Sequence, residues 1–172
     1  MSSKSKNKGN RGETQVVKLL REYWGDNSFQ RNLESGAAGT LLERRGAPKH
    51  VIGALKGDIM TPENFPFCVE VKNYQSIDLF AIFRNPENND VEQWWKQCCD
   101  DAEAAQKIPM MFMKYNFGSW YVVLDINKME RFISFPNFDT HPTFIVNNNF
   151  AIMLWEDFAN VCDKQNVLDK IR

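Results

Sequence analysis

Gly57-Asp58-Ile59-Met60-Thr61-Pro62-Glu63-Asn64-Phe65-Pro66-Phe67-Cys68-Val69-Glu70-Val71-Lys72 is the stretch that decides the reading of this chain. Pro62-Glu63-Asn64-Phe65-Pro66 is turn-like and separates two strand-like runs. Pairing Thr61 with Phe67 across that five-residue loop sets Asp58 opposite Glu70. Directly opposed residues of an antiparallel pair have Cβ atoms roughly 4.5–5.5 Å apart. Two carboxylates at about 5 Å repel by about 3 kcal/mol at an effective dielectric near 20. A hard cation with oxygen ligands relieves that repulsion, and Mg²⁺ is commonly held by one or two carboxylates plus waters and substrate phosphate. Glu70 and Lys72 stand at i and i+2, so a strand sends both to one face. Glu-x-Lys by itself is common and equally fits a solvated surface pair. The opposed aspartate and the apolar flanks favour a metal site beside a phosphate.

Outward from this hairpin, the chain reads as a single α/β domain. It has 172 residues, 43% of them hydrophobic and 13% aromatic, which is enough for a sizeable core and argues against disorder. No apolar run reaches the roughly 18 residues of a membrane span. Met1-Ser2-Ser3-Lys4-Ser5-Lys6-Asn7-Lys8 has no apolar stretch of the kind a secretory signal needs. Cys68, Cys98, Cys99 and Cys162 have no zinc-type spacing and read as reduced thiols, which implies a cytoplasmic setting. His50 and His141 lie far apart and read as ordinary loop residues.

Residues 1–9 read as a mobile basic arm and residues 10–172 as one domain, with a core to about 125 and a C-terminal extension from about 126. Val16, Val17, Leu20 and Trp24 recur at helical spacing and predict a helix from about Arg11 to Trp24, stopped at Gly25-Asp26-Asn27. Ser28–Glu34 suits a short strand and 35–53 a loop. A second helix is expected over Val91–Gln106, with Trp94, Trp95, Cys98, Ala102 and Ala105 inward. Pro109–Lys114 and Ser119–Asp125 read as strands. One or two further strands and a terminal helix from about Trp155 to Lys170 close the chain. This order predicts helices flanking a central mixed β-sheet.

Glu13 falls on the buried stripe of the first helix, where a carboxylate needs a partner. Either it faces the metal site, or Asn10-Arg11-Gly12-Glu13 is a capping box with Glu13 at its third position. The net charge of −1 divides unevenly: residues 1–57 hold eleven Lys/Arg against five Asp/Glu, and residues 58–172 hold ten against seventeen. The basic part surrounds the proposed site and would draw a phosphate backbone.

Lys8-Gly9-Asn10-Arg11-Gly12-Glu13 opening a helix, Arg31-x-x-x-Ser35-Gly36, Gly57-Asp58 and Val69-Glu70-Val71-Lys72 follow one another in a familiar order. Together they resemble the PD-(D/E)xK nuclease superfamily, and within it the archaeal-type Holliday junction resolvases and their phage-encoded relatives. Gly57 stands where that family often has proline. The resemblance covers residues 8–124 and implies a restriction-endonuclease-like core. It also implies that Asp58, Glu70 and the Val71 carbonyl ligate Mg²⁺, with Mn²⁺ as a substitute. By the same resemblance, Lys72 would orient or help deprotonate the attacking water and stabilise charge on the phosphorane. Glu13 would bind through water or a second ion, Ser35 would contact the scissile phosphate or a metal-bound water, and Gln97 would lie near the site on the following helix.

The implied activity is metal-dependent endonucleolytic hydrolysis of DNA, best matched to a four-way junction or other branched duplex nicked in pairs by a homodimer. Lys4, Lys6, Lys8, Arg11, Arg31, Arg44, Arg45 and Lys49 would grip phosphates without reading sequence. Two other readings stay open: a nuclease of the same superfamily acting on linear or nicked DNA, and an inactive DNA-binding or anti-defence protein on the same fold.

Overall fold

The computed structural model describes residues 3–33, 45–46, 56–115, 118–129, 144–146, 150–162 and 164–171. Its first helix, α1 (Ser3–Trp24), turns Val16, Val17, Leu20 and Trp24 inward, as their spacing requires. It ends at Gly25, whose φ of 67° is the left-handed conformation that glycine adopts without strain. The helix begins at Ser3 rather than near Arg11. Residues 3–9, expected as a mobile arm, are therefore helical, and Asn10 lies inside the helix rather than at its cap. The capping-box reading of Asn10 and Glu13 is corrected accordingly.

Seven strands among the described residues form one sheet: β1 (Gln30–Arg31), β2 (Ile59–Met60), β3 (Phe67–Tyr74), β4 (Ile108–Tyr115), β5 (Tyr121–Asp125), β6 (Phe144–Val146) and β7 (Phe150–Leu154). Their spatial order is β1-β2-β3-β4-β5-β7-β6. The sheet is mixed: β3 and β4 run parallel from Phe67↔Ile108 to Tyr74↔Tyr115, and the other neighbours are antiparallel. A parallel pair needs a crossover. Here it contains a short helix α2 (Ala81–Arg84) and the longer α3 (Asp90–Ala105). Asn89 caps α3 by accepting from the Glu92 N–H at 3.0 Å. Gln106 closes it at a φ of 56°.

Two-residue periodicity divides β3 between two cores. Phe67, Val69 and Val71 pack with the α1 stripe and with Met110, Phe112 and Val122. The opposite face meets α3, where Val91, Trp95 and Cys98 pack with Met111, Met113, Val123 and Ile152. Cys68, Glu70 and Lys72 belong to that second face. Trp94, expected inward with Trp95, is only half-buried and stacks on Tyr74 at the end of β3.

The C-terminal segment shares this core. β7 pairs directly with β5, from Tyr121↔Leu154 to Asp125↔Phe150. Trp155 and Phe158 of α5 (Trp155–Val161) join the α1-side cluster. A last helix, α6 (Lys164–Ile171), is separate. The single terminal helix expected over 155–170 is thus two. The break falls at Cys162, whose backbone leaves the helical region at φ −101°, ψ 85° and whose carbonyl accepts from the Tyr23 hydroxyl of α1. A short helix α4 (Ile126–Met129) follows β5. No helix among the described residues is long and apolar enough to cross a membrane.

Candidate active site

The hairpin of β2 and β3 positions Asp58. Ile59 pairs with Val69, and Asp58 precedes that pair at the start of the hairpin, within electrostatic reach of Glu70. The Asp58 N–H donates to the Val69 carbonyl at 2.8 Å. Asn32, buried after β1, clamps the same point from outside: its N–H reaches the Asp58 carbonyl at 2.8 Å and its amide reaches the Gly57 carbonyl at 3.0 Å. Gly57 has a φ of 76°, and a Cβ there would lie 2.7 Å from the Val69 carbonyl oxygen. Proline, with φ locked near −65°, cannot adopt this conformation. Gly57 thus replaces the family's frequent proline with a different local backbone. Gly57→Ala is expected to destabilise the protein by about 2–3 kcal/mol and to displace Asp58. Chemical denaturation of variant and wild type measures this directly, and a loss below about 0.5 kcal/mol would show the turn to be tolerant.

Asp58 is half-buried, and its Oδ2 accepts the Val71 N–H at 2.8 Å. A residue's N–H and C=O leave a strand on the same side, so the Val71 carbonyl faces the same edge, past Ile59↔Val69, where β2 pairs with β3. Burial pushes the Asp58 carboxyl up to about 7; the Glu70 charge adds to the rise, the Val71 N–H opposes it, and Glu13 adds a smaller push. Glu70 is only 4% exposed. Burial raises it too, against the pull of the Lys72 ammonium. Both acids therefore hold protons more tightly than exposed carboxylates do, as expected of sites that want a positive charge between them.

Lys72 Nζ lies 2.7 Å from Glu70 Oε1 and 3.1 Å from Gln97 Oε1. Gln97 also donates to the same Glu70 oxygen at 3.1 Å. Gln97 thus arrives from α3 and ties the carboxylate and the ammonium together. Burial lowers the affinity of Lys72 for its proton, but the Glu70 carboxylate outweighs burial and the net shift is upward. Lys72 stands as an ammonium in this arrangement, suited to stabilising negative charge.

Glu13 is held at the rim. Its Oε2 accepts from Arg31 Nε at 2.7 Å and also pairs with the guanidinium NH2 at 2.7 Å, while the Asn10 side-chain oxygen accepts from that NH2 at 2.7 Å. The charge of Glu13 is felt at Asp58 and Glu70. Among the described residues no group of three or more His, Cys, Asp or Glu side chains converges so as to hold a metal ion by itself. The oxygen set at the hairpin is two carboxylates with a backbone carbonyl, the sparse kind that suits Mg²⁺ better than an all-protein cage. Their mutual repulsion and raised proton affinity fit a cation of that type.

Arg31, expected to grip phosphate, is engaged with Glu13 and Asn10. Arg11 and Arg45 are exposed. Lys8 packs its backbone on β3, its carbonyl accepting from Asn73 at 3.1 Å. Lys4 and Lys6 lie on the first turns of α1. Ser35, Arg44 and Lys49 fall outside the described residues. Sequence reasoning overlooked Asn32 and Asn73. The second abuts α1 so closely that a Cβ on Gly12 would lie 2.8 Å from its own Cβ. Neither asparagine carries a local signal, because each is defined by a backbone group far away in the chain.

A mixed sheet flanked by helices, with an Asp…Glu-x-Lys set at a hairpin beside a parallel crossover, defines the PD-(D/E)xK restriction-endonuclease-like class. Residues 4–169 match the family described as "Phage putative PDDEXK endonuclease", and the chain belongs to that family. It is similar to Protein D14 of Escherichia phage T5, with 33% identity over 129 residues that cover 73% of this chain and 73% of that protein. No solved structure matches.

Proposed function

We propose that this chain is a Mg²⁺-dependent DNA endonuclease, with Mn²⁺ as a substitute, acting in the cytoplasm on four-way junctions or other branched duplexes. The observation that carries this reading is the acid pair at the end of a hairpin: burial raises the proton affinity of both Asp58 and Glu70, the Glu70 charge raises Asp58 further, and Lys72 is bonded to Glu70. A binding module has no use for that repulsion. Asp58, Glu70 and the Val71 carbonyl would hold the cation. When bound, it supplies Lewis acidity, neutralising phosphate charge and making a water more acidic.

The chain's own residues do the rest. The Lys72 ammonium donates to a non-bridging oxygen of the scissile phosphate and stabilises the charge that develops there. Gln97 sets the distance between Glu70 and Lys72. Lys72 would also orient the attacking water; to take its proton instead, the ammonium must first release its own proton to solvent, which sharing of the Glu70 charge would ease. Arg31 fixes Glu13, which adds negative potential and reaches the site through water or a second ion. Ser35 would contact the scissile phosphate or a metal-bound water. Lys4, Lys6, Lys8, Arg11, Arg44, Arg45 and Lys49 hold flanking phosphates, contacts that orient a duplex without reading its sequence. Paired nicks across a junction need two such centres, supplied by a C2 homodimer.

The test is cleavage of an end-labelled immobile four-way junction beside its linear arms, with Mg²⁺ and with EDTA. Symmetrical nicks confined to the junction and lost in EDTA are expected. Equal cutting of the linear arms would replace the junction reading with a nuclease for linear or nicked DNA. No cutting of any DNA would leave a binding protein on this fold.

A further inference from the structure

Next to the acid pair, on the same face of β3, stands a pair of aromatic rings that the reaction chemistry does not use. Tyr74 follows Lys72 at i+2, and Trp94 precedes Gln97 by one turn of α3. Strand and helix therefore meet in two successive rungs: Glu70 and Lys72 on Gln97, then Tyr74 on Trp94. The two rings are 4.5 Å apart and 11° from parallel. The core pairs of Phe65 with Trp24 and Phe29 instead cross at 87° and 84°. Tyr74 is 42% exposed, and its ladder partner Tyr115 is 39% exposed. A flat stack left open to water at a strand end offers a broad planar surface.

Two further observations say what such a surface would take. Tyr74 lies within electrostatic reach of Lys72, so the platform borders the phosphate position. At the same level of the strand but on its other face, Asn73 bonds the Lys8 carbonyl, which brings Lys8 and the exposed Arg11 of α1 to this end of β3. Cations along the backbone path with an aromatic step beside them are the combination that binds unpaired nucleic acid.

We infer that Tyr74 and Trp94 form a stacking platform for an unpaired nucleobase flanking the phosphodiester held at Lys72. This rests on the DNA-nuclease reading above and sharpens it. The substrate must expose a base beside the cut, as a branch point, bulge or gap does and a fully paired duplex does not. Stacking contacts every base through its π-face, so the preference is for unpaired structure rather than for sequence.

The probe is a duplex with a short bulge that carries the fluorescent base 2-aminopurine, compared with a fully paired duplex of equal length, both in EDTA so that binding is seen without cleavage. Wild type and Tyr74→Phe are expected to quench the bulged base on binding. Tyr74→Leu and Trp94→Leu are expected to lose that quenching and about tenfold in affinity for the bulged duplex, with affinity for the paired duplex held within about twofold. Far-UV circular dichroism confirms folding, and Tyr74→Phe separates loss of the ring from loss of the hydroxyl. Quenching that persists in both leucine variants, or an equal loss on both duplexes, overturns the platform. So does a shift of Tyr74→Leu from dimer to monomer with quenching intact, which would assign these rings to a second copy of the chain. The two readings fail separately. Quenching that depends on Tyr74 without any cleavage in Mg²⁺ removes the nuclease and leaves the platform, and cleavage with quenching indifferent to Tyr74 does the reverse.

Discussion

Lys72→Met is expected to lower Mg²⁺-supported DNA cleavage by about 10²–10³-fold with little change in DNA affinity measured in EDTA. The argument starts from where the ammonium sits. It is bonded to Glu70 at 2.7 Å and to Gln97 at 3.1 Å, with only 12% of its side chain exposed. A cation so fixed needs no reorganisation when negative charge develops on a neighbouring phosphate, and preorganisation of that kind acts on the transition state more than on ground-state binding. On the proposed reading, affinity for DNA would rest mainly on several phosphate contacts spread over the basic part of the chain, so one ammonium would contribute little to it. Methionine keeps the apolar stem of lysine and removes the charge. Glu70 then loses its nearest counter-charge, and stability is expected to fall by about 1–3 kcal/mol. Single-turnover cleavage with enzyme in excess separates this from weakened binding. A Lys72→Met rate within about threefold of wild type would remove Lys72 from the chemistry.

The hairpin of the candidate site was legible because two independent periodicities agreed on it. A five-residue loop and an alternating apolar face both demand the register that pairs Ile59 with Val69. Gln97 came from the family resemblance alone; the spacing of Val91, Trp95, Cys98 and Ala102 fixes the inward face of α3, and Gln97 borders it.

What could not be read depends on contacts between segments distant in sequence. Ser3–Asn10 has glycine and asparagine, poor helix formers, yet α1 begins there; Asn73 accepts the packing of Gly12 and bonds the Lys8 carbonyl. Arg31 and Glu13 each looked functional singly, and only the fold shows that they engage one another. The break in the terminal helix falls at Cys162, whose carbonyl accepts from Tyr23 of α1, a contact that local sequence does not announce. Trp94 obeyed the helical period closely enough to look inward, but β3 ends beside it in an exposed tyrosine rather than in core.

Asp58→Asn carries the other large effect, and it moves activity and stability in opposite directions. Cleavage is expected to fall by at least about 10³-fold, because one of the two proposed carboxylate ligands is lost. The metal-free protein is expected to become more stable at neutral and alkaline pH. The sign follows from proton linkage. Burial and the Glu70 charge hold Asp58 near 7 in the folded chain, well above the ordinary carboxylate value it has when unfolded. The folded state therefore binds a proton more tightly. The stabilisation is complete below the unfolded value and is lost as pH rises through about 7. The full interval corresponds to about 4 kcal/mol at most. Glu70 is raised as well and adds a slope of the same sign. Asparagine keeps the shape and can still accept the Val71 N–H, but it carries no charge to bury. Thermal unfolding in EDTA from about pH 5 to 8 should show wild type weakening steeply and Asp58→Asn weakening far less, with the variant more stable by about 2–4 kcal/mol at the alkaline end. Mg²⁺ should restore wild type there and leave the variant unmoved, since a ligand that binds only the folded state stabilises it by mass action. Equal pH slopes for the two proteins, or an equal response to Mg²⁺, would mean that Asp58 neither feels Glu70 nor faces a cation, and the acid pair would lose its role as the centre of the site.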